Sequence, residues 1–449
     1  MRSFSPPLAR LPEPAPRVDP AGLRPYQVVG AQWLSTRKNA LLSDDPRVGK
    51  TAQLLRALPP GASAIVVCPA VARLVWREEI RKWRPELTAV VSTPLYPPRR
   101  GEVAIVSYDG LVEAVDRQRI CHQPLAHAQV IADEIHWCKS GGAQRTQAVR
   151  KLARRCRGIW GASGTPLVGT PEDLWGVLVT LGLHEEVFPL DMESTREWFD
   201  SHHAAFLAAF NARRMWIRRN GELVQLNRWK YGEPAEWVRE HLSRVMLRRT
   251  RADVAPHLPP KQYVTLPVPA PDDLREHLDE LARRWEDPDE LPPFEAMAGA
   301  RAALARSRIR AALQQARIMA EAGPLVVFSA HVEPLTAFRL FPRAGVIVGA
   351  TPDEERDALI RKFQRSQLAL LAVSIGAGGV AIDLSRASQA LFVDLSWTPG
   401  DNAQAEDRLI SMTKREPVQV TRMVSDHPLD LHVLGVLARK QELIGKVVG

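Results

Sequence analysis

Cysteine is scarce in this chain: 449 residues hold four, Cys68, Cys121, Cys138 and Cys156. None stands in a Cys-x-x-Cys pair, which removes a zinc site and a disulfide framework and makes a reducing compartment the default. Long apolar runs are missing too. No stretch approaches the ~18 residues of a membrane-spanning helix, so no membrane partner is expected. Residues 1–20 are proline-rich and have no apolar h-region. They read as a flexible arm rather than a signal peptide, and the chain is expected to be cytoplasmic. No solenoid-type repeat is present, and no chromatin-reading or protein-targeting module is visible.

What remains is a globular composition, 45% hydrophobic and 25% charged. The length is too great for one core, so two or three domains are expected. The formal net charge of +9 favours a polyanionic partner, nucleic acid first; an Arg-rich composition without function gives the same sign. The excess is uneven. From Arg213 to Arg251 eleven Lys/Arg stand against four Glu, a surplus of seven, which suits a basic face.

The chain is organised around Leu41 to Thr51, which ends in Gly49-Lys50-Thr51 and leads into the apolar helical run Ala52 to Leu55. Gly49 lets the backbone turn tightly and bring N–H groups against phosphate oxygens. Lys50 can reach the β/γ-phosphates, and the Thr51 hydroxyl can bind Mg²⁺. A helix starting here aims its positive end at the anion. The full Gly-x4-Gly-Lys-Thr pattern fails, because Asp44 takes the first glycine's place. Upstream, Leu23 to Gln27 precede a helix over Val29–Leu34. The Gln27 amide can read an adenine edge, or be a surface Gln before a helix.

Short apolar runs at Ala64–Cys68, Val103–Tyr108, Val130–His136 and Ile159–Ala162 predict buried parallel strands. The third ends in Asp133-Glu134. At the C-terminal edge of a parallel sheet Asp133 can hold Mg²⁺ and Glu134 can orient and deprotonate a water. Ser163-Gly164-Thr165-Pro166 follows the fourth run, as a turn that can place hydroxyls or as a plain Gly/Pro turn. Trp198, Trp216, Trp229 and Trp237 lie among arginines, suited to a nucleic-acid face or to core positions of a helical insert. Asn220-Gly221 predicts a hairpin turn, and Ala235–Arg249 a helix ending at Arg248-Arg249.

Leu258 to Pro271 reads as an extended boundary, and residues 274–321 as mostly helical. A second α/β block then runs through Pro324–Ser329, Gly345–Val348, Leu368–Val373, Ala390–Asp394 and Val418–Val424. Gln404 to Arg408 is expected to open a helix. The fold class is therefore α/β, in two successive blocks of similar plan with helical inserts and a small β-hairpin. The expected layout is lobe 1 over 21–262 with an insert at about 180–250, a linker at 263–275, a helical insert at 276–322 and lobe 2 over 323–449.

The ordered set resembles the Swi/Snf-type ATPases among the superfamily-two helicase-like motors, in particular the compact branch with annealing helicases. Leu23–Gln27, Leu42–Thr51, Val66–Pro69 with Trp76, Glu79 and Trp83, Asp133–His136, Ser163–Pro166, Met246–Val254, Val327–Ser329, Gly378–Gly379 with Asp383 and Leu384, and Gln404–Arg408 fall where the family's motifs lie. The resemblance implies two tandem RecA-like P-loop lobes with helical inserts and a small β-hairpin, and ATP and Mg²⁺ as ligands. It puts Tyr26, Gln27, Gly49, Lys50, Thr51, Gly379 and Asp383 at the nucleotide, Thr51 and Asp133 at the metal, and Lys50, Asp133, Glu134 and Arg408 in catalysis. Ser163, Thr165, Arg248 and Arg249 would bind DNA or couple to it. It implies a monomeric motor on duplex DNA, with single-stranded DNA an alternative, in a bacterial or phage setting.

Two departures stand out. Arg47 replaces a usual Gly of the phosphate loop and constrains φ. Ser411 stands where the family has a second arginine, three residues after Arg408 on one helical face; Lys414 and Arg415 are nearby substitutes. A strand-separating helicase and a slow or non-hydrolysing nucleotide-dependent clamp are therefore the alternatives to a translocase.

Overall fold

The computed structural model describes residues 22–91, 97–116, 125–192, 197–219, 222–256, 258, 260–272, 274–276, 278–280, 294–376, 382–411 and 414–448. They form two compact units. The first comprises residues up to 164, with 176–183 and 245–250; the second comprises 165–175, 184–244 and 251 onward. The arm at 1–20, the Asn220-Gly221 turn and Gly378–Gly379 lie outside the described residues.

The first unit is built on an all-parallel sheet. Its strands are β1 (Ala40–Leu42), β2 (Ser63–Cys68), β3 (Thr88–Val91), β4 (Glu102–Ser107), β5 (Ala128–Asp133) and β6 (Gly158–Ala162), completed by a late strand, β11 (Met246–Leu247). The spatial order is β11-β1-β6-β5-β2-β4-β3. β2 is buried at all six positions, as a strand covered on both faces must be, and such strands read as continuous apolar runs. Helices fill the crossovers that parallel strands require. Three places differ from the sequence expectation. The helix expected over Ala235–Arg249 stops at Val245, and Met246 and Leu247 pair with Leu41 and Leu42 instead. The acidic strand ends at Asp133, not His136. β3 was not foreseen, since its apolar run, Ala89-Val90-Val91, is only three residues long and lies partly exposed at the sheet edge.

The second unit holds the parallel sheet β12-β17-β16-β13-β15-β14, made of β12 (Lys261–Pro267), β13 (Leu325–Ser329), β14 (Ala344–Ile347), β15 (Leu370–Ser374), β16 (Gln389–Phe392) and β17 (Val418–Val424). Central strands β13 and β15 are wholly buried. Residues 263–267 belong to β12, paired with β17 through Pro267 and Val424, so that part of the expected linker is sheet. Tyr263-Val264-Thr265 are strong β-formers; the flanking prolines masked that signal. The unit also contains the small strands β7 (Asp191–Met192) and β8 (Glu197–Trp198), and the antiparallel hairpin β9 (Arg213–Arg219) and β10 (Glu222–Lys230), with Arg219 opposite Glu222. The helix carrying Gln404 runs from Pro399 to Asp407. Gln404–Arg408 therefore ends that helix rather than opening one. Among the described residues no helix is long and apolar enough to cross a membrane.

Candidate nucleotide site and its supports

The phosphate loop leaves β1 and enters the helix Lys50–Ala57. Gly49 caps that helix with φ 84°, in the left-handed region where glycine carries no steric penalty. Space makes the same demand: a Cβ there would lie 2.2 Å from Gln27 Nε2. Arg47 also has positive φ, 68°, so the loop is built through an unfavourable arginine rather than around it. The helix start presents backbone N–H groups, as an anion site requires.

Asp44 explains why no first glycine is needed. Its carboxylate is fully buried. Arg249 grips it with both faces of a fork, Nε to Oδ1 at 3.0 Å and Nη2 to Oδ2 at 2.6 Å, and Gln53 Nε2 donates to Oδ2 at 2.9 Å. Arg249 Nη2 also donates to Gln53 Oε1 at 2.6 Å, its Nη1 donates to the Tyr26 carbonyl, and its guanidinium lies over the Tyr26 ring. Gly30 makes room, since a Cβ there would stand 1.8 Å from Gln53 Oε1 and 2.8 Å from Arg249 Nη2. Arg248 Nη1 donates to the Ser43 carbonyl at 3.0 Å and the Gly164 carbonyl at 3.3 Å, and Nη2 approaches Asp45 Oδ1 at 3.4 Å. The structure thus places Arg248 and Arg249 against the phosphate loop as its braces. β11 brings them there.

Tyr26 and Gln27 close the other side. The Tyr26 hydroxyl donates to the Val48 carbonyl at 3.0 Å and Gln27 Nε2 to the same oxygen at 3.2 Å, while Gln27 Oε1 accepts from Arg24 N at 2.9 Å. Burial raises the Tyr26 pKa, so the hydroxyl stays a donor. Lys50 Nζ donates to the carbonyls of Asp44 and Asp45 at 2.7 and 3.1 Å, and Thr51 is the second residue of the helix.

The acidic pair faces this loop. Burial and the neighbouring Glu134 charge push the Asp133 pKa up, while Trp76 and Lys50 oppose the rise; Lys50 and Asp133 are therefore within electrostatic reach. Trp76 Nε1 donates to Asp133 Oδ2 at 2.8 Å and the Tyr108 hydroxyl to the Asp133 carbonyl at 2.8 Å. Glu134 sits at φ 51°, a conformation costing of order 1–3 kcal/mol for a non-glycine residue. His136 Nδ1 lies 3.2 Å from Glu134 Oε2 and 2.9 Å from Ser163 Oγ. Ser163 is fully buried and its N–H donates to the Leu42 carbonyl. His136 thus links the acidic pair to the turn after β6. The two adjacent acids offer hard oxygen donors of the kind Mg²⁺ takes, and Lys50, within electrostatic reach of Asp133, offers a positive charge for phosphate. Sequence reasoning had Trp76 as a motif residue without its bond to Asp133, and did not foresee Tyr108 or Gln53.

Thr165 begins the second unit, across the boundary from Ser163. In that unit Arg408 is buried and caps the helix Pro399–Asp407; its carbonyl accepts from Leu384 N at 3.0 Å. Ser411 lies beyond the helix end, so the two positions do not share a helical face. Lys414 Nζ is taken by the Ser385 and Ala387 carbonyls at 2.8 and 2.5 Å, which leaves it a structural role. Asp383 Oδ1 accepts from Ser385 N at 3.0 Å and the Asp383 carbonyl from Gln364 Nε2 at 2.6 Å. Gly379 lies outside the described residues. Of the tryptophans, Trp237 meets the buried Phe188 edge to face and lies tilted against His241. Trp229 lies beneath Arg214, 4.2 Å from its ring centre.

A glycine-hinged phosphate loop beside a lysine and two strand-end acids, on one of two α/β units, defines a P-loop nucleotide hydrolase. Residues 26–277 match the SNF2-related domain and residues 309–412 the helicase conserved C-terminal domain. The chain belongs to the SNF2-related family of helicase-like ATPases. Over 460 residues it is 26% identical to the human DNA annealing helicase and endonuclease ZRANB3, covering 95% of this chain and 40% of that protein. It is 25% identical over 453 residues to the SWI/SNF-related matrix-associated actin-dependent regulator of chromatin subfamily A-like protein 1 of Xenopus tropicalis, covering 95% and 45%. The chain thus spans less than half the length of these relatives. A Sulfolobus solfataricus SWI2/SNF2 ATPase core in complex with dsDNA aligns over 95% of this chain and 92% of its own, at 18% identity and a TM-score of 0.42.

Proposed function

We propose that the chain is a DNA-stimulated ATPase that moves along double-stranded DNA, acting as a single-chain motor. The observation that carries this reading is the convergence of the hinged phosphate loop, Lys50 and the Asp133–Glu134 pair in one unit of an SNF2-family chain. The basic surplus from Arg213 to Arg251 and relatives named for DNA annealing support DNA as the track.

Mg²⁺, when bound, neutralises charge developing on the phosphoryl oxygens. Thr51 and Asp133 would hold it. The N–H groups at Gly49–Thr51 would bind phosphate oxygens, with Lys50 exchanging its loop carbonyls for them. Tyr26 and Gln27 would line the nucleotide end. Glu134, set apart from its neighbour by its left-handed backbone, would take a proton from the attacking water. His136 would report that state to Ser163, and Arg408 would stabilise transition-state charge. A strand-separating helicase is the second reading, favoured by the basic β9–β10 hairpin, in which Arg213 pairs with Lys230 and Arg214 with Trp229.

The test is ATP turnover by the purified chain without nucleic acid, with single-stranded DNA and with duplex. Stimulation chiefly by duplex, lost in Lys50→Ala, is expected. Turnover indifferent to DNA, or unchanged in Lys50→Ala, overturns the reading.

A further inference from the structure

Two buried acids, Glu406 and Asp407, immediately precede Arg408, and they are neutralised by Arg251, by Lys261 of β12 and by Arg422 of β17. Arg251 Nη1 lies 2.5 Å from Asp407 Oδ1, and Lys261 Nζ lies 2.8 Å from the same oxygen and 2.7 Å from Glu406 Oε2. Arg422 Nη2 lies 2.8 Å from Glu406 Oε1, and the Tyr263 hydroxyl donates to Oε2 at 3.0 Å. Only 4% of the Asp407 side chain is exposed. Burial alone would raise its pKa, yet Lys261 and Arg251 outweigh it and hold it below the usual carboxylate range. A carboxylate so gripped fixes its own backbone, and with it the next residue.

We infer that Arg251 is a positioning residue for Arg408, acting through Asp407. The inference deepens the ATPase reading above and rests on it. Removing the Arg251 charge leaves Asp407 half-paired and frees the backbone that sets Arg408.

The test compares the full chain with Arg251→Gln, Arg251→Lys and Asp407→Asn, reading kcat and KM for ATP with duplex DNA, binding of a fluorescent ADP analogue, and thermal unfolding. Arg251→Gln should lower kcat at least tenfold with KM and ADP affinity within twofold, and Arg251→Lys should restore part of it, a split that a merely structural ion pair would not give. Asp407→Asn should lower kcat in the same way. Full kcat in Arg251→Gln overturns the positioning role, and if that variant fails to fold, full kcat in Asp407→Asn overturns it. Absence of turnover in the natural chain itself would instead overturn the ATPase reading.

Discussion

Replacing Arg249 with Met should be among the most damaging single changes in the first unit. The methionine fills much of the volume but leaves the Asp44 carboxylate buried with only Gln53 Nε2 as a donor. Removing one partner of a buried pair costs about 3–5 kcal/mol, because an uncompensated charge stays behind. A domain has only ~5–15 kcal/mol in total, and each kcal/mol moves the melting temperature of a unit this size by about 2–4 °C. The expected shift is therefore roughly 10 °C, with nucleotide affinity falling as the loop loses its brace. Two comparisons fix the cause. Arg248→Met removes a longer contact to Asp45, 3.4 Å with side chains 18% and 20% exposed, and bonds to the Ser43 and Gly164 carbonyls, but strands no fully buried charge, and should cost about 1–3 kcal/mol. The double variant Asp44→Asn/Arg249→Met removes the stranded charge and should recover at least half of the loss. Thermal unfolding followed by circular dichroism, with nucleotide titration, reads all three. Arg249→Met melting within a degree of the natural chain would refute the assignment of Arg249 as the loop's counter-charge.

Other outcomes follow from the same geometry. Glu134→Gln should bind nucleotide normally and lose turnover by about 10²–10⁴-fold, as read by ADP-analogue binding beside phosphate release; lost binding would contradict its role as base. Gly30→Ala should cost about 1–3 kcal/mol through overpacking, because its methyl meets Gln53 and Arg249; urea unfolding checks this. Asp407, held at a lowered pKa, contributes stability that is present above the unfolded carboxyl pKa of ~4 and is lost as pH falls through the lower folded value. Acid unfolding of Asp407→Asn should lack that increment. Affinity for duplex DNA should fall steeply with salt, with a log–log slope of about −0.9 per phosphate contacted; a flat response in fluorescence anisotropy would remove backbone tracking.

Much of the architecture was legible because buried parallel strands announce themselves. Ile65-Val66-Val67 and Val130-Ile131 are uninterrupted apolar runs, and the acids and glycines that end such strands fall at the sheet's C-terminal edge, where ligands bind in α/β folds. Elements held by partners rather than by their own pattern were hidden. Met246-Leu247 is two residues long and becomes strand only by pairing with Leu41 and Leu42, so Arg248 and Arg249 read as the end of a helix instead of the floor of the phosphate loop. β12 was obscured by prolines on both sides. The expected face shared by Arg408 and Ser411 assumed a helix that ends at Asp407. The signal for the Asp44–Arg249 pair was present as an acid directly after an apolar strand, which needs a counter-charge, but sequence spacing cannot say that the charge arrives 205 residues later.

The measurement that most directly tests ATP-driven movement on duplex is displacement of a third strand from a DNA triplex by the purified chain. The account predicts displacement that requires ATP, stops in Lys50→Ala, and proceeds without separation of the underlying duplex. Duplex-stimulated hydrolysis with no triplex displacement, or displacement accompanied by unwinding of the duplex, would contradict it.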